Sequence, residues 1–182
     1  MIFHSKSSIA FLLFLSAAII SLSGCDKHEH SQSQELITTL KLTFAQPGQT
    51  AKTFVFKDLD GVGGTAPTID AVALAPNSTY TLAVEVLNES ASPVEDITEE
   101  VQAEKDDHLF VYKVAGGANL TVTATDTDSK GKPVGLAATV TTGAASSGTL
   151  TVSLKHQPDK SAADPSQTGE TDVEATFNVQ IK

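Results

Sequence analysis

Two histidines sit where carboxylates could join them on a metal ion. His108 ends an acidic segment of helical spacing, four residues after Glu104 and eight after Glu100, and His156 closes an alternating apolar run further along. Imidazole nitrogens and carboxylate oxygens ligate zinc at about 2 Å without any Cys. If the strand ends converge, Glu100, Glu104, His108 and His156 make a zinc site; if not, both His are surface residues at the ends of strands. A second set, His28 and His30 flanking Glu29, could gather zinc or copper loosely through its imidazoles.

Two loops carry the start of a calcium pattern. Asp58 and Asp60 occupy positions 1 and 3, with Gly63 at position 6, but Val62 stands at position 5 and Ile69 where a bidentate Glu belongs. Asp126, Asp128 and Gly131 repeat the pattern, with Lys130 and Ala137 at the corresponding places. Calcium needs six to eight oxygens, so hairpin turns account for both loops more simply. No Gly-x-Ser-x-Gly elbow and no His-Glu-x-x-His helix occurs, and the expectation is a non-catalytic protein with no required cofactor.

Charge narrows the partners. The 182 residues carry 22 Asp plus Glu against 12 basic side chains, all Lys, for a net charge of -10. Phosphate recognition needs clustered cations and favours the Arg fork, so a nucleic-acid partner is not expected. One Cys cannot build a disulfide framework.

That Cys has another role open to it. Lys6 precedes an apolar run from Ile9 to Leu22, 14 residues long, short of the roughly 20 a membrane-spanning helix needs and suited to a signal peptide. The run ends in Leu22-Ser23-Gly24-Cys25, which resembles the lipobox of bacterial lipoproteins and implies lipidation of Cys25. Residues 1–24 then form the signal peptide, 25–34 a lipidated polar tether and 35–182 the folded domain. Several acyl chains on one residue anchor far more firmly than one.

The elements that must position the metal ligands are strands. From Leu36 onward apolar residues recur every second position, as in Leu40, Leu42 and Phe44, or Leu150, Val152 and Leu154, with Thr prominent between them. Such alternation marks half-buried strands. Expected strands cover 39–44, 54–56, 68–74, 79–86, 109–114, 120–125, 134–141, 149–155 and 173–181. About nine strands separated by turns indicate an all-β, antiparallel, immunoglobulin-like sandwich. One short helix interrupts it at 93–107, where Val94, Ile97 and Val101 take helical spacing and Asp96 with Glu99 forms a capping-box pattern.

Leu74-Ala-Pro76-Asn-Ser-Thr-Tyr80 resembles the tyrosine corner of fibronectin type III and related immunoglobulin-like domains. The resemblance implies that the Tyr80 hydroxyl bonds to backbone upstream and pins a crossover between sheets, with Leu74 and Pro76 shaping the corner. About five strands follow it here, more than in that family.

The mature chain also resembles a group of small lipoproteins from Gram-negative bacteria, often labelled type 1 periplasmic-binding-fold superfamily proteins. Shared features are the His-rich acidic start after Cys25, the first strand at 39–44, the Lys-Asp-Leu-Asp-Gly loop at 57–61, the helical segment 93–100 and the hairpin 142–152. A periplasmic-binding fold would need repeated βα units, which this pattern lacks. The resemblance and the lipobox together imply a protein held by its lipid at the outer membrane, facing the periplasm or the cell surface. The expected function is a non-catalytic accessory whose sandwich loops meet a protein partner or cargo, such as an outer-membrane receptor or transporter. The alternative is a zinc-binding lipoprotein that serves an importer.

Overall fold

Alternation of period two becomes two facing sheets in the computed structural model, which describes Met1, residues 36–61 and residues 63–182. Apart from Met1, the expected signal peptide and tether, with Cys25, His28 and His30, lie outside the described residues. The described residues from Leu36 to Lys182 belong to one compact unit, and the buried apolar core runs from Ile37 to Ile181. No described helix is long and apolar enough to cross a membrane.

The described elements run β1 (Thr39–Ala45), β2 (Lys52–Lys57), β3 (Thr68–Ile69), β4 (Val72–Leu74), β5 (Thr79–Asn88), β6 (Glu95–Asp96), α1 (Ile97–Ala103), β7 (His108–Ala115), β8 (Leu120–Ala124), β9 (Ala137–Thr142), β10 (Ser146–His156) and β11 (Glu170–Ile181). One sheet has the order β3-β2-β1-β5-β9-β8, with β6 added beside β5; the other is β4-β11-β10-β7. The chain is thus an all-β sandwich with one short helix.

Inward positions are those the alternation marked. Tyr80, Leu82, Val84 and Val86 are buried along β5, while Thr79, Thr81 and Ala83 face outward. Phe44 and Phe177 are among the largest fully buried side chains. Burying each stabilises the fold by about 1.5–3 kcal/mol.

Three elements differ from the pattern. The apolar stretch 68–74 breaks into β3 and β4, which belong to different sheets. Asp70 causes the break: its N–H donates to the Val55 carbonyl and its carboxylate accepts from the Val55 N–H, both at 2.9 Å. The chain then crosses over, and β4 runs parallel to β11, the one parallel pair among the described strands. Second, the expected strand at 134–141 begins only at Ala137, because the Asp126 carboxylate takes the N–H groups of Gly135 and Leu136. Gly135 has φ +89° and packs so near Phe110 that a Cβ would meet the Phe110 Cβ at 2.9 Å and its carbonyl oxygen at 3.0 Å. Only Gly fits there. Third, α1 is shorter than expected, since Glu95 and Asp96 pair with β5; Asp96 caps the helix by accepting from Thr98 N–H at 3.0 Å instead of from the third residue.

The corner at 74–80 joins the two sheets. Tyr80 accepts a hydrogen bond from Ala75 N–H at 2.8 Å, and its ring meets Phe44 edge-on at 6.1 Å. Leu74, at the end of β4, is buried, and Pro76 lies between the two strands. Around the corner the strands run six in one sheet path and four in the other.

Candidate metal centre

The registers of three strands bring His108, His156 and Asp172 together. His108 opens β7 and His156 closes β10, and the two are direct cross-strand partners. Opposed residues in an antiparallel pair project from the same face at about 5 Å, so the two rings stack with centroids 4.8 Å apart and planes 11° from parallel. Asp172 arrives by a different route. In the β10–β11 ladder Leu154 faces Val173 but Lys155 faces Thr171, which leaves Asp172 as the extra residue of a bulge. Simple alternation from Val173 would turn Asp172 outward. The bulge re-aims it toward the histidines, as bulges do beside functional sites.

One ligand atom from each of the three residues lies within 4.8 Å of the others. This is the one such group of His, Cys, Asp or Glu found among the described residues. A zinc tetrahedron with bonds of about 2.1 Å has edges of roughly 3.4 Å. Side-chain rotation must therefore draw the ligands inward and tilt one ring out of the stack. His156, whose side chain keeps 16% exposure, has room to do this.

His108 presents an unengaged ring nitrogen. Its Nδ1 lies 3.1 Å from the carbonyl oxygen of Glu104. A carbonyl only accepts, so Nδ1 carries the proton, and in the neutral ring Nε2 is a bare lone pair. The residue is fully buried and Nε2 has no hydrogen-bond partner. Metal-bound His generally donates its other ring N–H to a carbonyl or carboxylate, which fixes the tautomer and the ring's direction.

Asp172 is the second anomaly. Both carboxylate oxygens are buried without a hydrogen-bond partner, and the nearest His156 contact, Nδ1 to Oδ1, is 3.9 Å, too long for a hydrogen bond. Burial pushes the carboxyl pKa up; the imidazoles of His156 and His108 pull it partly back, Glu170 pushes it further up and Lys155 lowers it. Buried polar groups are nearly always satisfied, and the exceptions call for an explanation. An orphaned lone pair and an orphaned carboxylate this close together are groups that one cation could satisfy together.

The surroundings hold both His-bearing strand ends in place. Gln157 N–H donates to the Asp107 carbonyl at 2.6 Å, tying the residue after one histidine to the residue before the other. Lys160 reaches back from the following loop to the Lys105 carbonyl at 2.7 Å and to Asp128 at 3.2 Å. Burial raises the Asp128 pKa, but the N–H groups of Lys132 and Lys130 together with the Lys160 ammonium more than offset it, and the net shift is downward. Asp106 accepts from both the N–H and the hydroxyl of Ser129.

The expected ligand set needs correcting. Glu104 and Glu100 do not bring carboxylates to the histidines; both side chains are exposed. Helix α1 ends at Ala103, and Glu104 is its C-cap with φ -103° and ψ 32°. The four-residue spacing to His108 is thus broken by a turn, and Glu104 contributes its main-chain oxygen. Glu100 likewise contributes a carbonyl, accepting the Glu104 N–H. His108 is no surface residue, because its whole ring lies under the sheet edge. Asp172 escaped sequence reasoning: a bulge leaves no mark on a pattern of period two.

The calcium-like loops spend their carboxylates on their own backbones. Asp58 accepts from Gly61 N–H at 3.0 Å and Asp60 from Thr65 N–H at 2.7 Å. The bonds from Thr65 hold the Asp60 pKa below the usual carboxylate value. In the second loop Asp128 takes the N–H groups of Lys130 and Lys132, both at 2.8 Å. These are turn contacts, each tying a carboxylate to backbone N–H groups of its own loop.

No protein-family model, curated protein or solved structure matches the chain.

Proposed function

We propose that the domain binds one divalent transition-metal ion, with zinc the best match, and carries it at the cell envelope for an importer without catalysing a reaction. What supports this above all is the pair of unsatisfied groups, His108 Nε2 and the Asp172 carboxylate, buried face to face beside His156. Two imidazoles and a carboxylate suit zinc and its neighbours; soft copper(I) would want sulfur, and calcium would want oxygen alone. A sandwich that served only to display loops would leave those orphaned atoms unexplained. In this reading Cys25 is lipidated and tethers the domain to the outer membrane, where a receptor or transporter takes the ion.

Isothermal calorimetry of the full chain with His4, His28 and His30 changed to Ala tests the binding. One zinc per chain is expected at neutral pH, with binding lost in the further variant His156→Ala. Affinity should fall on acidification, because metal ligands must be deprotonated and burial raises the Asp172 pKa, so protons compete for it sooner than for an ordinary carboxylate. Zinc binding that needs His28 and His30 and ignores His156 would assign the metal to the tether and end this proposal.

A further inference from the structure

We infer that Glu170 supplies the fourth metal ligand, completing a charge-neutral His108–His156–Asp172–Glu170 centre, and that it is the ligand which opens to admit and release the ion. The inference rests on the metal-binding reading above and deepens it.

The strand register carries it. Glu170 is the direct cross-strand partner of His156, as His108 is from the other side. A single row across β7, β10 and β11 therefore reads His108, His156, Glu170. Because the bulge at Asp172 shifts the ladder, Glu170 joins the face of the histidines, while Lys155 and Thr171 pair with each other in the neighbouring row at 2.9 Å. Directly opposed Cβ atoms lie about 4.5–5.5 Å apart, so Glu170 reaches a metal held by His156 through rotation of its own side chain.

Burial and charge point the same way. Asp172 and His108 close the inner side of the site, and its open side is at His156. Glu170, an exposed residue, stands at that side. Three ligands from two neutral imidazoles and one carboxylate leave a divalent ion with one uncompensated positive charge in a largely buried place, which is costly. A second carboxylate cancels it and fills the tetrahedron zinc prefers. A monovalent ion would be over-compensated, so the complete set favours divalent cargo. The three less exposed ligands hold; the exposed fourth swings.

The experiment uses the full chain with His4, His28 and His30 changed to Ala, with zinc and cobalt(II) as probes. Glu170→Gln should weaken zinc at least about tenfold, the lower end of what losing even an outer partner of a metal ligand costs. It should also change the visible absorption of bound cobalt(II), which reports coordination number and ligand type, and leave the melting temperature of the metal-free protein unaltered. Parent-like zinc affinity and cobalt spectrum in Glu170→Gln would overturn the inference while leaving the three-ligand site standing. A parent protein that takes up neither metal would overturn both.

Discussion

Changing Asp172 to Asn will stabilise the metal-free protein at neutral pH and remove its zinc binding. Both oxygens of the carboxylate are buried with no hydrogen-bond partner, and burial raises its pKa despite the two nearby imidazoles. A carboxyl whose pKa is raised by folding holds its proton more tightly in the native state. Its contribution to stability is then fully present below the unfolded value of about 3.9 and is lost as pH rises through the folded value. Wherever the native carboxyl is ionised, it holds the charge buried with no hydrogen-bond partner, at a cost of about 1–3 kcal/mol. Asn keeps the shape and discards the charge. Urea unfolding without metal should therefore give the variant about 1 kcal/mol more stability at neutral pH, the difference vanishing as the solution is acidified and Asp172 protonates in the parent. Greater stability with lost binding is the trade expected of a functional site. A variant less stable than its parent at neutral pH would mean that Asp172 is a structural acceptor.

Zinc should raise the melting temperature of the parent steeply and leave His108→Ala unmoved. A ligand that binds only the native state adds about 4 kcal/mol at a thousandfold excess over its dissociation constant, which for a domain of this size is a rise of roughly 8–16 °C. The ion would bridge the start of β7, the end of β10 and the start of β11, so unfolding any of the three must release it. Without metal, His108→Ala should itself cost about 2–5 kcal/mol, because the fully buried ring leaves a cavity and the Glu104 carbonyl loses its donor. His156→Ala, at a partly exposed position, separates the effects: milder loss of apo stability, but the same loss of the zinc response. A melting temperature that rises equally in all three proteins would place the binding elsewhere.

The sandwich was legible because its signal is local and repeated. Leu40, Leu42 and Phe44, or Val173 through Ile181, declare an inward face every second residue, and those residues are the core. Tyr80 and its corner were equally readable, since the device lies within seven consecutive residues and its hydrogen bond spans five positions. The division of 68–74 was hidden because Asp70 acts through Val55, far back in the chain. At the candidate site the two histidines stood out as polar residues at the ends of apolar alternations. Their carboxylate partner did not: spacing along the chain favoured Glu104 and Glu100, but a turn after Ala103 spoils that spacing. Asp172 is 64 residues from His108 by subtraction of their numbers. Only the pairing of β7 and β11 on either side of β10 makes them neighbours. Ligands contributed by separate strands depend on register, and register here includes a bulge that no periodicity announces.

Nitrogen-15 NMR of the imidazole rings during a zinc titration tests the site most directly. With His4, His28 and His30 changed to Ala, only His108 and His156 remain, so each ring nitrogen can be assigned. Before metal, His108 should be the tautomer with the proton on Nδ1, held by the Glu104 carbonyl. At one equivalent of zinc, His108 Nε2 and one nitrogen of His156 should both move to metal-bound positions while the His108 Nδ1 proton stays in place. Ring resonances that do not respond to zinc, or a His108 that carries its proton on Nε2, would contradict the metal centre.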